Sequence, residues 1–292
     1  MLYNEKLIYA DLYQWGCEQL FAADIDEAKT DARLLLEWCC NTDRNTLLAH
    51  GDRRISDVEY RCYTDCIAKR KQHVPLQHIT GEQDFMGLTY LVNRNVLIPR
   101  QDTEVLVEEV MRNLHDGMRI LDMCTGSGCI LLSLLRYSND CTGVGVDISE
   151  EALQAARQNT DRVLGSQAID QAQVTWRAGN LFDGLDPEDK FDIIVSNPPY
   201  IKTDVIETLM PEVREHEPHL ALDGREDGLF FYRQIIAQAG RFLTGGGMLF
   251  FEIGYDQGEA VSRLMEEAGY IDIEVIKDFS GLDRVVFGGS HV

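Results

Sequence analysis

Asn197-Pro198-Pro199-Tyr200 is the segment of this chain whose residue types could do chemistry together. It follows Phe191-Asp192-Ile193-Ile194-Val195-Ser196, an apolar run that reads as a buried strand. Two consecutive prolines remove two backbone donors, restrict φ and bias Asn197 away from helix, so the strand ends in a stiff cradle whose carbonyls are free to accept. A planar nitrogen, such as that of a carboxamide or the exocyclic amine of a base, is a poor nucleophile because its lone pair is delocalised. If Asn197 Oδ1 and the Pro198 carbonyl each accept one of its N–H groups, the nitrogen is aimed at an electrophile and its developing positive charge is stabilised. No strong base is required in that step. Pro199 stiffens the turn, and Tyr200 offers a flat face against the planar group. The plain alternative is a strand-ending turn with an aromatic plug.

An electrophile needs a second site, and one stands upstream. Ile120-Leu121-Asp122-Met123-Cys124-Thr125-Gly126-Ser127-Gly128 puts a buried strand before a glycine-containing turn and a helix, the place where open α/β sheets bind ligands. Asp147 closes the next strand, 25 residues after Asp122, where an acid can accept both hydroxyls of a ribose. A G-x-G-x-x-G dinucleotide fingerprint would require glycine at 131, and the chain has Leu131. A phosphate-binding G-x-x-x-x-G-K-[ST] loop is absent as well. An adenosyl cofactor without phosphates fits better, and S-adenosylmethionine is the common one. Asp122 then meets its methionine end or serves its loop, while Asn180 and Leu181, after the third strand, edge the adenine.

These loops must be held by a sheet. Short apolar runs at Arg119–Met123, Gly143–Val146, Val174–Arg177, Phe191–Val195 and Met248–Ile253 alternate with helical patterns near 128–136, 150–159 and 229–242. That alternation predicts a doubly wound α/β domain over 97–292. Ile271–Ile276 and Arg284–Phe287 close it as an antiparallel edge. Residues 75–96 read as a β-hairpin linker, and 1–74 as a small all-α bundle with apolar residues spaced at three and four. Within that bundle Ser56-Asp57-Val58-Glu59 is a capping box opening a helix that runs to Lys71.

The 292 residues carry 27 Lys and Arg against 49 Asp and Glu, a formal charge of −22. Such a balance argues against a protein whose affinity comes from neutralising nucleic-acid phosphates, and no direct nucleic-acid partner is expected. Residues 1–80 hold 10 basic and 13 acidic side chains, so −19 of that charge lies in the remainder. No run reaches the length of a membrane span, and the amino terminus lacks a signal-peptide build, so a cytoplasmic protein is expected. The eight cysteines show no paired C-x-x-C spacing. Cys62, Cys66, His73 and His78 can be drawn as a zinc set, but the two cysteines lie on a helical pattern and no metal is expected.

At these residues the chain resembles the HemK/PrmC family of protein-(glutamine-N5) methyltransferases, which modify the Gln of the Gly-Gly-Gln motif in peptide chain release factors. The resemblance extends to Leu97-Ile98-Pro99-Arg100 with Thr103-Glu104, Gly81 through Phe85, Glu217-Pro218, Ala221-Leu222, Asp227-Gly228-Leu229 with Tyr232-Arg233, and Asp283-Arg284-Val285-Val286. It implies a seven-stranded, Rossmann-like S-adenosylmethionine-dependent domain behind a helical bundle that helps hold the release factor. Cys124, Thr125, Gly126, Ser127 and Gly128 would line the methionine side of the cofactor, Asp147 the ribose, Leu181 the adenine edge, and Asn197 both cofactor and substrate glutamine. Cys124 stands where many members have Gly, Asn180 where Asp is usual, Leu181 where some have Trp, Gln101 where Pro is common, and Arg225 replaces a second Gly. Arg100 is read either as positioning a substrate or a carboxylate or as a plain surface or salt-bridge residue at a helix entry, and Glu252 as facing either the site or solvent. A glutamine methyltransferase of a large-subunit ribosomal protein, a nucleic-acid amino-methyltransferase and a non-catalytic adenosyl-binding module are the competing readings.

Overall fold

The computed structural model describes residues 7–171 and 173–290. The chain divides into two compact units, residues 1–81 with 211–216 and residues 82–210 with 217–292. The first unit is helical: α1 (Tyr9–Phe21), α2 (Ala28–Cys40), α3 (Arg44–Ala49), α4 (Asp57–Arg70) and α5 (Leu76–Thr80). Their three-and-four apolar faces converge on Leu12, Leu20, Leu35, Leu36, Tyr63 and Ile67, all buried. At the start of α4 the Glu59 amide donates to Ser56 Oγ and the Ser56 amide to Glu59 Oε2, the reciprocal pairing expected of a capping box. The short α10 (Pro211–His216) belongs to this unit, through Arg70, whose guanidinium donates to Asp31 at 2.7 Å and to Glu212 at 3.0 Å.

In the second unit a hairpin of β1 (Glu82–Phe85) and β2 (Leu88–Leu91) precedes α6 (Gln101–Asn113). The sheet strands are β3 (Arg119–Met123), β4 (Thr142–Asp147), β5 (Val174–Ala178), β6 (Phe191–Ser196), β7 (Leu243–Glu252), β8 (Ile271–Lys277) and β9 (Asp283–Gly289). Between them run α7 (Cys129–Tyr137), α8 (Glu150–Val163), α9 (Thr203–Ile206), α11 (Phe230–Ala239) and α12 (Gly258–Glu267). The strand order is β5-β4-β3-β6-β7-β9-β8, parallel from β5 through β7 and antiparallel on both sides of β9. The parallel strands read as continuous apolar runs because both faces are covered. Ile120, Ile193 and Val195 face one core, while Leu121, Met123 and Ile194 face the other.

Each expected strand is present, and the closing pair is antiparallel. Helix α12, between β7 and β8, is an element the sequence reading omits; its Val261, Leu264 and Met265 carry the three-and-four spacing that identifies it. The chain reverses direction across the sheet between β3 and β6, so the loops leaving these two strands open on a common crevice. Met123 pairs with Ser196, and Ser196 Oγ donates to the Met123 carbonyl at 2.7 Å, which brings Cys124 and Asn197 out side by side.

Candidate active site

A cleft with a cavity volume of about 370 Å³ lies at the carboxyl ends of β3, β4, β5 and β6. Cys124, Thr125, Gly126, Ser127, Asp147, Asn180, Leu181, Asn197 and Pro199 all line it. Asp122, Gly128, Pro198 and Tyr200 do not. The expected residues therefore separate into a wall and a backing layer, and the backing layer explains how the wall is held.

The loop after β3 is shaped by backbone conformation. Cys124 (φ 62°), Gly126 (φ 56°) and Gly128 (φ 78°) all sit in the left-handed region. A Cβ on Gly128 would lie 2.8 Å from the Trp176 ring, so this glycine permits the close approach of α7 to the sheet. Behind the loop, Asp122 is fully buried on the face opposite Met123, and its Oδ2 accepts from Thr125 Oγ1 at 2.5 Å. This bond ties Asp122 to its own loop. Burial pushes its carboxyl up to about 7, partly countered by the Thr125 hydroxyl and the Leu131 amide. Asp147 accepts from the Gly126 amide at 2.8 Å and the Ser149 amide at 2.9 Å, which fixes the carboxylate at the cleft wall. Burial raises its pKa and these backbone donors oppose the rise.

Asn197 projects from the tip of β6. Its Nδ2 donates a long hydrogen bond of 3.5 Å to Thr103 Oγ1 on α6. The Thr103 hydroxyl in turn favours the charged form of Glu252, second only to burial among the influences on that carboxyl. With Nδ2 turned to Thr103, Oδ1 is left for the cleft. No hydrogen bond from a described residue occupies Oδ1.

Tyr200 closes the turn from behind. Its hydroxyl donates to Glu252 Oε1 at 3.2 Å, and its carbonyl accepts from Gln257 Nε2 at 3.1 Å. Glu252 thus faces neither the cleft nor solvent. It is buried, its pKa is raised by burial, and its Oε2 accepts no well-formed hydrogen bond among the described residues. Gly224 and Gly228 pack on the Tyr200 backbone so closely that a Cβ would lie 2.7 Å from its Cα and 2.5 Å from its carbonyl oxygen respectively. On the opposite wall Arg100 donates to buried Glu217 at 2.6 Å, the salt bridge that is one of the readings open to it.

Thr103, Glu217 and Gln257 are the site residues that motif reading did not rank. Thr103 in the first turn of α6 and Gln257 at the N-cap of α12 carry a helix-start signal, whereas Glu217 follows α10 and carries none. Their partners lie 94, 117 and 57 residues away, and no local pattern encodes such distances. Cys124 and Arg225 depart from glycine at positions with φ of 62° and 71°, which is the physical reason glycine belongs there.

The fold, with a cleft at the switch point of a seven-stranded sheet, defines a methyltransferase domain, and residues 114–273 match the methyltransferase domain family. Residues 11–81 match the PrmC N-terminal domain family. The chain belongs to the release factor glutamine methyltransferase family. It is 40% identical over 273 residues to the release factor glutamine methyltransferase of Caulobacter vibrioides, covering 93% of this chain and 92% of that protein. To the protein of the same name from Clostridium acetobutylicum it is 39% identical over 259 residues, 88% of this chain and 89% of the relative. A methyltransferase structure from Pyrococcus furiosus shares the fold, with a TM-score of 0.51 at 17% identity over 70% of this chain and 90% of that one.

Proposed function

We propose that this protein transfers the methyl group of S-adenosylmethionine to the side-chain amide nitrogen of the glutamine in the Gly-Gly-Gln motif of peptide chain release factors. S-adenosylhomocysteine is the other product. The observation that carries this reading is Asn197 at the cleft wall, its Oδ1 open, beside a loop built to approach a ligand through backbone. The cleft suits the cofactor on chemical grounds: the Asp147 carboxylate is fixed where a ribose diol can donate to it, and Gly126 has open space on its Cβ side. Asn180 and apolar Leu181 offer an edge for adenine, and Cys124, Thr125 and Ser127 shape the methionine side.

When bound, the cofactor supplies an electrophilic methyl group on a sulfonium. Asn197 Oδ1 accepts an N–H of the substrate amide and so orients its nitrogen, while Pro198, behind the cleft lining, stiffens the turn that carries Asn197. Pro199 lends apolar surface to the cleft side of the turn. Tyr200, held by Glu252, Gln257 and the two close-packed glycines, keeps that turn from yielding. Once the new carbon–nitrogen bond forms, the nitrogen sheds one proton to solvent, and no residue of the wall needs to act as a strong base. Alignment of this kind supplies on the order of 7–11 kcal/mol of barrier reduction.

The helical unit is assigned to substrate recognition, supported by its match to the PrmC N-terminal domain. The reading places the protein in cytoplasmic translation termination; no helix among the described residues is long and apolar enough to cross a membrane. A purified release factor incubated with the protein and methyl-labelled cofactor is expected to gain one label, lost when the target Gln is changed to Ala. Label transferred to DNA, RNA or a ribosomal protein in its place would overturn the assignment.

A further inference from the structure

Three cysteines with no part in the site above meet inside the helical unit. Cys39 lies near the end of α2, and Cys62 and Cys66 stand one turn apart on the facing side of α4. Their sulfur atoms all lie within 4.8 Å of one another. Cys62 Sγ is 2.7 Å from Cys39 Sγ, and Cys39 Sγ is 3.7 Å from Cys66 Sγ. Spacing alone groups Cys62 and Cys66 with His73 and His78, a set from which no metal is expected, but the fold pairs His73 Nδ1 with Glu212 at 3.3 Å and brings Cys39 to the two sulfurs.

A disulfide would use two of these sulfurs and leave the third idle. A cation sitting about 2.3 Å from each of three thiolates spaces them by roughly 4 Å, a separation within the range the three sulfurs already span, from 2.7 Å to at most 4.8 Å. All-sulfur ligation selects the soft, closed-shell cations. Cys66 is buried while Cys39 and Cys62 are partly open, so the cluster has a sealed side and an approach. The Cys62 thiol points at Cys39 and the Cys39 thiol at Cys66, so the three sulfurs already face one another. Metal binding displaces the thiol protons to solvent.

We propose that Cys39, Cys62 and Cys66 form a binding site for one thiophilic d10 cation, Zn2+ or Cu+, held by three thiolates. The test titrates the reduced full-length protein with Zn2+ and, separately, with Cu+, each against a chromophoric chelator, followed by X-ray absorption on the loaded protein. One equivalent of at least one of the two metals is expected to bind, with three sulfur neighbours, at about 2.3 Å for zinc. Cys39→Ser and Cys66→Ser are expected to weaken that equivalent by roughly 100-fold or more. Should the variants fold poorly, Co2+ loading of the wild-type protein gives an independent count, because its sulfur-to-metal absorption band grows with thiolate number. No bound equivalent with either metal, an equivalent that survives both substitutions, or fewer than three sulfur neighbours would overturn the proposal. So would conversion of the cluster by oxidised glutathione to a disulfide in a protein that takes up neither metal.

Discussion

Tyr200 braces the turn after β6 from behind the cleft lining. Its hydroxyl is a hydrogen-bond donor to Glu252, a carboxyl buried without a full set of partners. Tyr200→Phe therefore strands that carboxyl further, and the expected loss of stability is about 1–3 kcal/mol, read from denaturant unfolding near neutral pH. Protonated Glu252 needs one acceptor bond fewer, so the loss is expected to shrink on acidification. Arg225 gives the opposite sign. At φ 71° it bears the left-handed cost that glycine escapes, and its ion pair with Asp223 is more than half exposed on the arginine side. Arg225→Gly is expected to raise stability by about 1 kcal/mol, because the strain relieved exceeds a surface pair's contribution.

Among the elements, the turn after β6 depends on what crosses behind it. Gly228 combines φ of 75° with a Cβ position 2.5 Å from the Tyr200 carbonyl oxygen, and backbone atoms cannot swing aside as a side chain does. Gly228→Ala is expected to cost about 2–5 kcal/mol of stability, from conformational strain and overpacking together, and to lower methyl transfer in whatever protein remains folded. Calorimetry with a parallel activity assay checks both. The strands and the two motif loops were legible in the sequence because each is encoded within about ten residues: an apolar run, then glycine or proline at a fixed offset. What was illegible was the bracing. Thr103 under Asn197, Glu217 under Arg100 and Cys39 against Cys62 and Cys66 are brought together only by the packing of elements far apart in the chain. Helix α12 escaped for another reason, since Gly258 and Glu259 at its start and Glu266 and Glu267 at its end mask a short apolar face.

At the scale of the whole molecule, the buried carboxyls set the response to pH. Asp122 moves from an ordinary value near 3.8 up to about 7 in the fold, so the native state favours its protonated form. Its contribution is fully present below the unfolded value and is lost as pH rises through the folded one, an effect on the order of a few kcal/mol. Asp189, Glu212 and Asp227 are lowered by arginine or histidine partners and act in the opposite direction, losing their contribution on acidification. The difference between wild type and Asp122→Asn isolates the first effect. The variant is expected to gain stability relative to wild type between pH 5 and pH 8, measured from urea midpoints; a difference independent of pH would argue against the raised carboxyl.

All of these scales meet in the claim that Asn197 aims an amide nitrogen. The most direct measurement is the single-turnover rate of methyl transfer to a release factor, set beside cofactor affinity, for wild type and Asn197→Ala. The account predicts a rate lower by about 10²–10³, as for loss of one oriented polar group at a transition state, with cofactor binding close to wild type. Equal losses in rate and affinity would contradict it.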